Sequence, residues 1–390
     1  TGIFTKARES YTGAVTTISE KELKMFRGQN MLATLGNIDP SFNIVANNAL
    51  GSNPNAIPEI TIRGNSSLPM SMDELNNETS QRLNQPLIIM DGFEISLEKL
   101  MDFNDEEIAS INILKDASAT AIYGSRGANG VVVITTKRPE PGKLKVFAKA
   151  AISLEMPDLT SYDLLNAADK LALEKEVGLY KNSGSQSDPH KDQELEEKYN
   201  ATLREVLRGV DTYWLSEPLR VGVGQKYNVR LEGGTEELRW GAGVSYNSVQ
   251  GAMKGSSRNT FSGTINLAYT YKNVLFQNQT LLDYNRAKES KYGTFSDYAR
   301  MNPYWAPRDD EGNLIESYET ISGRDIANPL YNALLDSKNE SKYDQVTNNF
   351  SVEWRIIEGL TFRGQVGITK QHNSSDVFIP SENTEFNDTQ

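Results

Sequence analysis

The sequence predicts an α+β domain followed by antiparallel transmembrane β-barrel strands, too few to close a large barrel. Three observations carry this. The hydrophobic period changes to two near Pro139 and Pro141. The strands beyond that point are long and apolar on one face only. The links between them alternate between short turns and long polar segments, as in bacterial outer-membrane barrels.

The front region, residues 1–141, reads as short elements. Thr12 to Ile18 is a strand, and Ser19 with Glu22 makes a capping box for a short helix running towards Phe26. Ile60 and Ile62 form a strand that ends at Arg63-Gly64. Leu87 to Met90 is a strand closed by Asp91-Gly92, a pair suited to positive φ. An acidic helix start at Asn104 to Glu107 precedes a strand from Ile111 to Leu114. A helix from Asp116 to about Tyr123 and a strand from Val131 to Thr136 complete the region.

In residues 142–390 the alternation begins with Val146, Ala148, Ala150, Ile152 and Leu154. It is clearest at Leu238 to Tyr246 and at Phe261 to Tyr271, and it returns at Phe350 to Ile356 and Leu360 to Ile368. Short turns fall at Gly233 to Glu237, Lys272-Asn273 and Glu358-Gly359. Longer links occupy Ser248 to Arg258 and about 287–344, and a charged helical insertion occupies about 160–209. A soluble β-sandwich also alternates, so alternation alone decides nothing; strand length and link asymmetry favour the barrel. Trp240, Trp354, Tyr269, Tyr271 and Tyr284 are candidates for interfacial girdles, with cross-strand packing as the competing role.

Composition narrows the function. The chain of 390 residues has 52 acidic against 40 basic residues, a net charge of -12 that disfavours nucleic acid as a partner. There is no Cys, which removes thiolate and Cys-ligated metal chemistry. The two His residues, His190 and His372, stand far apart in polar, loop-like stretches, read as solvated surface residues and leave a His-based metal or triad site little to build on. Mean hydropathy of -0.52 does not exclude a barrel, whose strands need only about 9 to 11 residues with one apolar face. The chain opens at Thr1 without Met or a leader and stops at Gln390 without a terminal element, and is expected to be a piece of something longer.

The residues with chemical promise have plainer readings. Gly124, Gly127 and Gly130 fit neither a Walker loop nor a dinucleotide fingerprint and read as turns, with Arg126 a structural or barrel-contacting charge. Asp309, Asp310, Glu311 and Asn313 around Gly312 offer oxygens to calcium, yet lack EF-hand spacing and read as a solvated turn. Nothing selects a catalytic pair among the carboxylates; Glu194, Glu196 and Glu197 read as a solvated face. Tyr304, Trp305 and Tyr318 suit either stacking on sugars or packing within a loop.

Ile60 to Gly64, Pro86 to Gly92 and Ile108 to Lys137 resemble the plug domain of the SusC/RagA family of TonB-dependent transporters. The signature residues are Arg63, Gly64, Asp91, Gly92, Lys115, Asp116, Tyr123, Gly124, Arg126, Gly127, Asn129 and Gly130. Asp211 to Gly234 is similar to the family's entry into the barrel, and Asn302-Pro303 with Asn328-Pro329-Leu330 to one of its external loops. The polar stretch 68–85 is longer than the family pattern, and a projection into the lumen and a mobile link both remain open. The resemblance implies a plugged barrel in the bacterial outer membrane, in contact with lipid, without catalytic centre, metal or cofactor. It further implies TonB acting through a segment upstream of Thr1, a SusD-like surface lipoprotein, and an oligosaccharide or, in a known variant, a peptide as cargo. A plugged receptor or adhesin without transport and a soluble carbohydrate-binding module or glycosidase are the competing classes.

Overall fold

The computed structural model describes residues 15–23, 25, 31–45, 53–62, 85–116, 120–182 and 188–389. Two sheets organise the chain. The first has five strands in the order β1 (Val15–Ser19), β6 (Ile108–Leu114), β7 (Val131–Thr136), β4 (Leu87–Met90) and β5 (Phe93–Ile95). All neighbours are antiparallel except β4 and β7, which run parallel. A two-stranded ribbon pairs β2 (Asn43–Val45) with β3 (Glu59–Thr61).

One face of the five-stranded sheet carries Ile18, Ile111, Ile113, Val132 and Ile134, covered by α2 (Met31–Ile38) and α3 (Leu97–Asp102). Ile88, Ile60, Leu32, Leu35 and Leu100 close this core. Val131 and Val133, together with Ile89 and Leu114, form a smaller cluster on the other face, against Tyr123. Burial of these branched side chains is the main force holding the plug sheet, at about 1.5 to 3 kcal/mol for each large aliphatic one.

Local chemistry sets the turns. The capping box closes as expected: the Ser19 N–H and hydroxyl both donate to Glu22 Oε2 at 2.7 Å, at the start of α1 (Glu20–Leu23). Asp91 and Gly92 adopt φ of 51° and 93°, so β4 and β5 form a two-residue hairpin. Of the expected helix from Asp116 to about Tyr123, residues 117–119 lie outside the described residues. The Thr120 N–H donates to the Asp116 carbonyl at 2.9 Å, and the 3-10 turn Ala121–Gly127 follows, with Gly124 at φ 60°, ψ -146°. Thr12 to Ala14, Phe26, Arg63, Gly64 and nearly all of the stretch 68–85 lie outside the described residues.

The second sheet is the wall, seven antiparallel strands in the order β16, β15, β12, β11, β10, β9, β8. They span β8 (Gly142–Glu155), β9 (Gly222–Gly234), β10 (Leu238–Gln250), β11 (Ser257–Tyr271), β12 (Val274–Lys288), β15 (Lys338–Ile357) and β16 (Leu360–Phe378). The sheet does not close on itself, and β8 and β16 are its edges. Its two faces differ. Ile152, Val366 and Ile368 on one face are 72%, 61% and 69% exposed, while Arg258, Asp283 and Asn285 on the other are buried against the plug. No second sheet packs on the apolar face among the described residues, which sets the sandwich aside: this is a barrel wall with lipid outside and a plug inside.

The girdle candidates fall into two rows. Trp240, Tyr269, Tyr271 and Trp354 lie outward near the short turns, with Phe276 stacked on Tyr269. Tyr284 lies level with Phe261, Tyr246 and Tyr227 further up. From Val274 to Tyr284, at about 3.4 Å per residue and a tilt of about 45°, the rows stand about 24 Å apart, the height of a lipid-facing band.

The three long links lie at one end of the wall. The first contains α4 (Ala167–Glu176) and α5 (Pro189–Leu207), so the helical insertion is the first loop at that end. The second is confined to residues 251–256. The third, 289–337, is shorter than the expected 287–344 because β12 and β15 continue pairing beyond the apolar pattern, as at Lys288 with Glu340. It holds α6 (Phe295–Ala299), the hairpin β13 (Ser317–Glu319) with β14 (Asp325–Ala327), and α7 (Pro329–Leu334).

These links share one aromatic core. Trp214, Met253, Phe295, Tyr298, Met301 and Tyr318 are buried together. Trp305 stacks on Tyr318 at 4.8 Å, and the buried Tyr304 donates to Glu174 at 3.0 and 3.1 Å. Of the two roles open to these aromatics, the structure therefore assigns packing within the loops. His190 sits in the first turn of α5, and His372 stands on β16 opposite Asp344, in regular elements where the sequence suggested loops.

Candidate functional site: the seam between plug and wall

The helix α3 is only six residues long, yet it holds the plug to the wall. Ser96 caps it by accepting the Lys99 N–H at 3.1 Å. Leu97 and Leu100 enter the plug core, and helical spacing turns Glu98, Lys99 and Asp102 to the wall. Asp102 is the hub. Its carboxylate accepts Nε and Nη2 of Arg258 at 2.7 and 2.6 Å, Tyr343 Oη at 2.7 Å, Asn285 Nδ2 at 3.2 Å and Thr260 Oγ1 at 3.3 Å. One plug carboxylate thus engages β11, β12 and β15. Lys99 pairs with Asp283, and Glu98 adds a second contact to Arg258 at 3.1 Å.

The next turn extends the seam. Asn104 caps the short turn Asp105–Glu107 by accepting the Glu106 N–H at 3.3 Å, so the expected acidic helix start is a single 3-10 turn. Asp105 pairs with Lys226 and Glu106 with Lys149. Glu107 lies 3.9 Å from Arg230, which also holds Glu232 at 2.9 Å. Burial pushes the Asp105 carboxyl up, but the charge and hydrogen bond of Lys226 together with the charge of Lys149 outweigh it, and the net shift is down. Glu107 is raised: its burial exceeds the help of Arg230 and Lys137. Apart from Lys99 with Asp283, the plug presents acids and the inner wall presents cations, a complementarity spread over strands far apart in sequence.

The hairpin tip makes a third contact. Asp91 accepts the Thr136 N–H at 3.0 Å, the Thr136 hydroxyl at 2.5 Å and Gln279 Nε2 at 3.2 Å. A Cβ on Gly92 would lie 2.7 Å from Gln365 Oε1, and one on Gly367 2.6 Å from the Phe93 ring. At the long-loop end Asn55 Nδ2 donates to the Lys288 carbonyl at 2.7 Å and Asn53 Nδ2 to Glu289 at 2.6 Å. Between the plug sheet and the short-turn half of the wall lies a cavity of about 810 Å3. Gln277, Gln279, Asn349 and Gln365 line it, beside Gly92.

The remaining signature residues act within the plug. Lys115 bonds the buried Asp39 at 2.8 and 2.9 Å. Burial would raise the Asp39 carboxyl, and its bonds from Lys115 and Ser41 lower it instead. Asp116 accepts the Thr120 N–H at 2.9 Å. Burial pushes the Tyr123 hydroxyl up to about 12. Gly127 packs against Thr120, and Gly130, at φ 92°, has Ile62 at 3.1 Å from the place of a Cβ. Asn129 stands in the turn between them, half-buried. Arg126 pairs with Glu94 of the plug, a contact inside the domain.

The acidic turn at Asp309 is closed on itself. Asp309 accepts the Glu311 and Asn313 N–H groups at 3.0 and 2.8 Å, and Asp310 pairs with Arg208. Among the described residues no three His, Cys, Asp or Glu side chains gather in a way that would hold a metal.

Comparisons with known proteins agree with this architecture. The model of the TonB-dependent receptor plug domain matches residues 7–131. The TonB-dependent receptor P3 of Formosa agariphila is 27% identical over 389 residues, covering 97% of this chain and 34% of that protein. The TonB-dependent receptor SusC of Bacteroides thetaiotaomicron is 28% identical over 272 residues, 68% of this chain and 23% of that protein. A structure of the RagAB peptide importer in its closed-closed state superposes with a TM-score of 0.70 at 21% identity, over 94% of this chain and 42% of that one. The chain therefore spans about a third or less of the length of these curated relatives. A plug sheet seated inside a one-sided wall, with these relatives, makes residues 7–131 a TonB-dependent receptor plug domain and the chain similar to the plug and first barrel strands of outer-membrane receptors of the SusC kind.

Proposed function

We propose that the whole protein imports a nutrient across the outer membrane, energised by TonB. Residues 1–141 act as the removable stopper and residues 142–390 as the first part of the wall. The observation that carries this reading is the seam itself. Its contacts to the plug are hydrogen bonds and ion pairs rather than a continuous apolar interface, so they can be exchanged for water when the plug moves. An apolar interface of similar extent would resist such release.

Oligosaccharide is the cargo we favour. The cavity beside the hairpin is lined by Gln277, Gln279, Asn349 and Gln365, neutral amides that suit a hydroxyl-rich chain, together with Asp91, Lys137, Arg138, Glu353, Arg355 and Arg363, whose charges suit a peptide as well. RagAB, described as a peptide importer, keeps the peptide alternative in view. TonB would act through a segment upstream of Thr1, and a SusD-like lipoprotein would cover the long-loop end. The signature residues would be structural, and the reading needs no catalytic residue, metal or cofactor.

Growth tests this. A strain lacking the gene should lose growth on one class of oligosaccharide and regain it with the full-length protein. Growth unchanged on every glycan and peptide, with ligand still bound at the cell surface, would instead make the protein a receptor or adhesin without transport.

A further inference from the structure

The outward face of the wall is not uniform at its long-loop end. Beyond the row of Tyr227, Tyr246 and Phe261, the outward positions of β9 to β11 are uncharged, with Gln225, Ser248, Gln250, Asn259 and Ser257. On β12, β15 and β16 the corresponding region is basic. Arg286, Lys288 and Lys342 lie just beyond Tyr284, and Lys370 and His372 flank the row on β16.

These cations are only partly neutralised. Arg286 and Lys288 share one carboxylate, Glu340, at 2.8 and 2.7 Å. Among the described residues neither Lys342 nor Lys370 has an ion-pair partner. Asp344 and Asp376 are the other outward carboxylates in these rows, Asp376 being paired with Lys338, so five cations face three acids before His372 is counted. Lys342 and Arg286 stand directly opposite each other across the β12–β15 ladder. Like charges in that register repel, and a shared anion between them relieves the repulsion.

The height of the patch selects the anion. It lies at the level of the upper aromatic row, where headgroups meet the apolar band, and the long Lys side chains reach outward from strand positions beside that band. It faces away from the lumen, so cargo within the barrel does not meet it. The chain carries a net charge of -12, so a local excess of cations runs against its overall sign. We propose that this patch binds the phosphate-bearing headgroup of a lipid in the leaflet at the long-loop end. The proposal does not depend on transport, since a receptor without transport would keep the same outward face.

The test uses the purified full-length receptor in neutral detergent and native mass spectrometry. The probes are lipid A with both phosphates and the same lipid dephosphorylated. The phosphorylated form should bind and the dephosphorylated form should not. The paired substitution Lys342→Gln with Lys370→Gln should weaken binding about thirtyfold, about fivefold for each cation removed near a headgroup. Lys342→Arg with Lys370→Arg should retain it, and Lys272→Gln at the short-turn end should leave it unchanged. Equal binding of both lipids by the unaltered receptor overturns the proposal, a result that needs no variant to fold. So does unchanged affinity in the double Gln variant, or displacement of the lipid by equimolar inorganic phosphate.

Discussion

The Asp102 carboxylate takes Nε and Nη2 of Arg258 side by side at 2.7 and 2.6 Å, joining a plug helix to a wall strand 156 positions later in the chain. Both partners are buried, and the remaining acceptor capacity of Asp102 is filled by Tyr343, Asn285 and Thr260. A two-point bond of this kind fixes orientation as well as distance.

Breaking this pair from one side should therefore be costly. Asp102→Leu leaves a buried guanidinium held only by Glu98 and should destabilise the plug by about 3 to 5 kcal/mol. Arg258→Leu should cost less, because three neutral donors still serve Asp102. The double variant should be more stable than the sum of the two predicts. Limited proteolysis of the plug against denaturant measures all three, and strict additivity would remove the coupling.

Gly92 combines a left-handed φ of 93° with a wall side chain where its Cβ would stand. Gly92→Ala should cost about 1 to 2 kcal/mol from backbone strain alone, and more from the contact with Gln365. Adding Gln365→Ala should recover the contact part only. Full recovery, read by melting of the receptor, would mean that strain plays no part.

Two buried carboxylates give the plug opposite pH slopes. Asp39 is held below its ordinary value of 3.8, so its contribution is present above that pH and is lost as pH falls through the lowered value. Glu107 is held above its ordinary value of 4.5, so the folded state keeps a proton the unfolded state has released. Its contribution is full below 4.5 and is lost as pH rises through the raised value. Asp39→Asn should flatten the acid limb of a melting profile, and Glu107→Gln the limb above 4.5. A limb that persists in its own variant would point to another group.

Trp305 stacks on Tyr318, a buried member of the aromatic core shared by the long links. Trp305→Ala should open this core by about 3 to 5 kcal/mol. Amide exchange should quicken in α6 and α7 and stay slow in the wall strands. Uniform quickening across β10 to β12 would show that the loops and the wall unfold together.

Much of this architecture is legible in the sequence because its causes are local. Strand alternation marks the wall, since one face meets lipid along every strand, and Asp91-Gly92 announces its hairpin through φ. The strand ends were less legible. At Arg286, Lys288 and Lys342 the outward residues become polar beyond the lipid band while backbone pairing continues, so the apolar pattern stops before the strand does. β5 and α3 are too short to show a period, and the shared core of the links needs contacts between Trp214, Phe295 and Tyr318 that no local window contains. The seam left one readable trace. The acidic run Asp105 to Glu107 faces Lys149, Lys226 and Arg230, and matching blocks of opposite charge in the two regions could have suggested it.

Release of the plug from its seam is tested most directly by tying the two together. Glu98→Cys and Thr260→Cys place thiols on the plug helix and the wall beside the Asp102 and Arg258 pair, in a chain with no cysteine of its own. A short bis-maleimide with a reducible linker would bridge them in cells expressing the full-length receptor. Nutrient uptake should stop on bridging while surface binding persists, and should return when the linker is reduced. Undiminished uptake with the bridge intact would contradict a plug that must leave its seam.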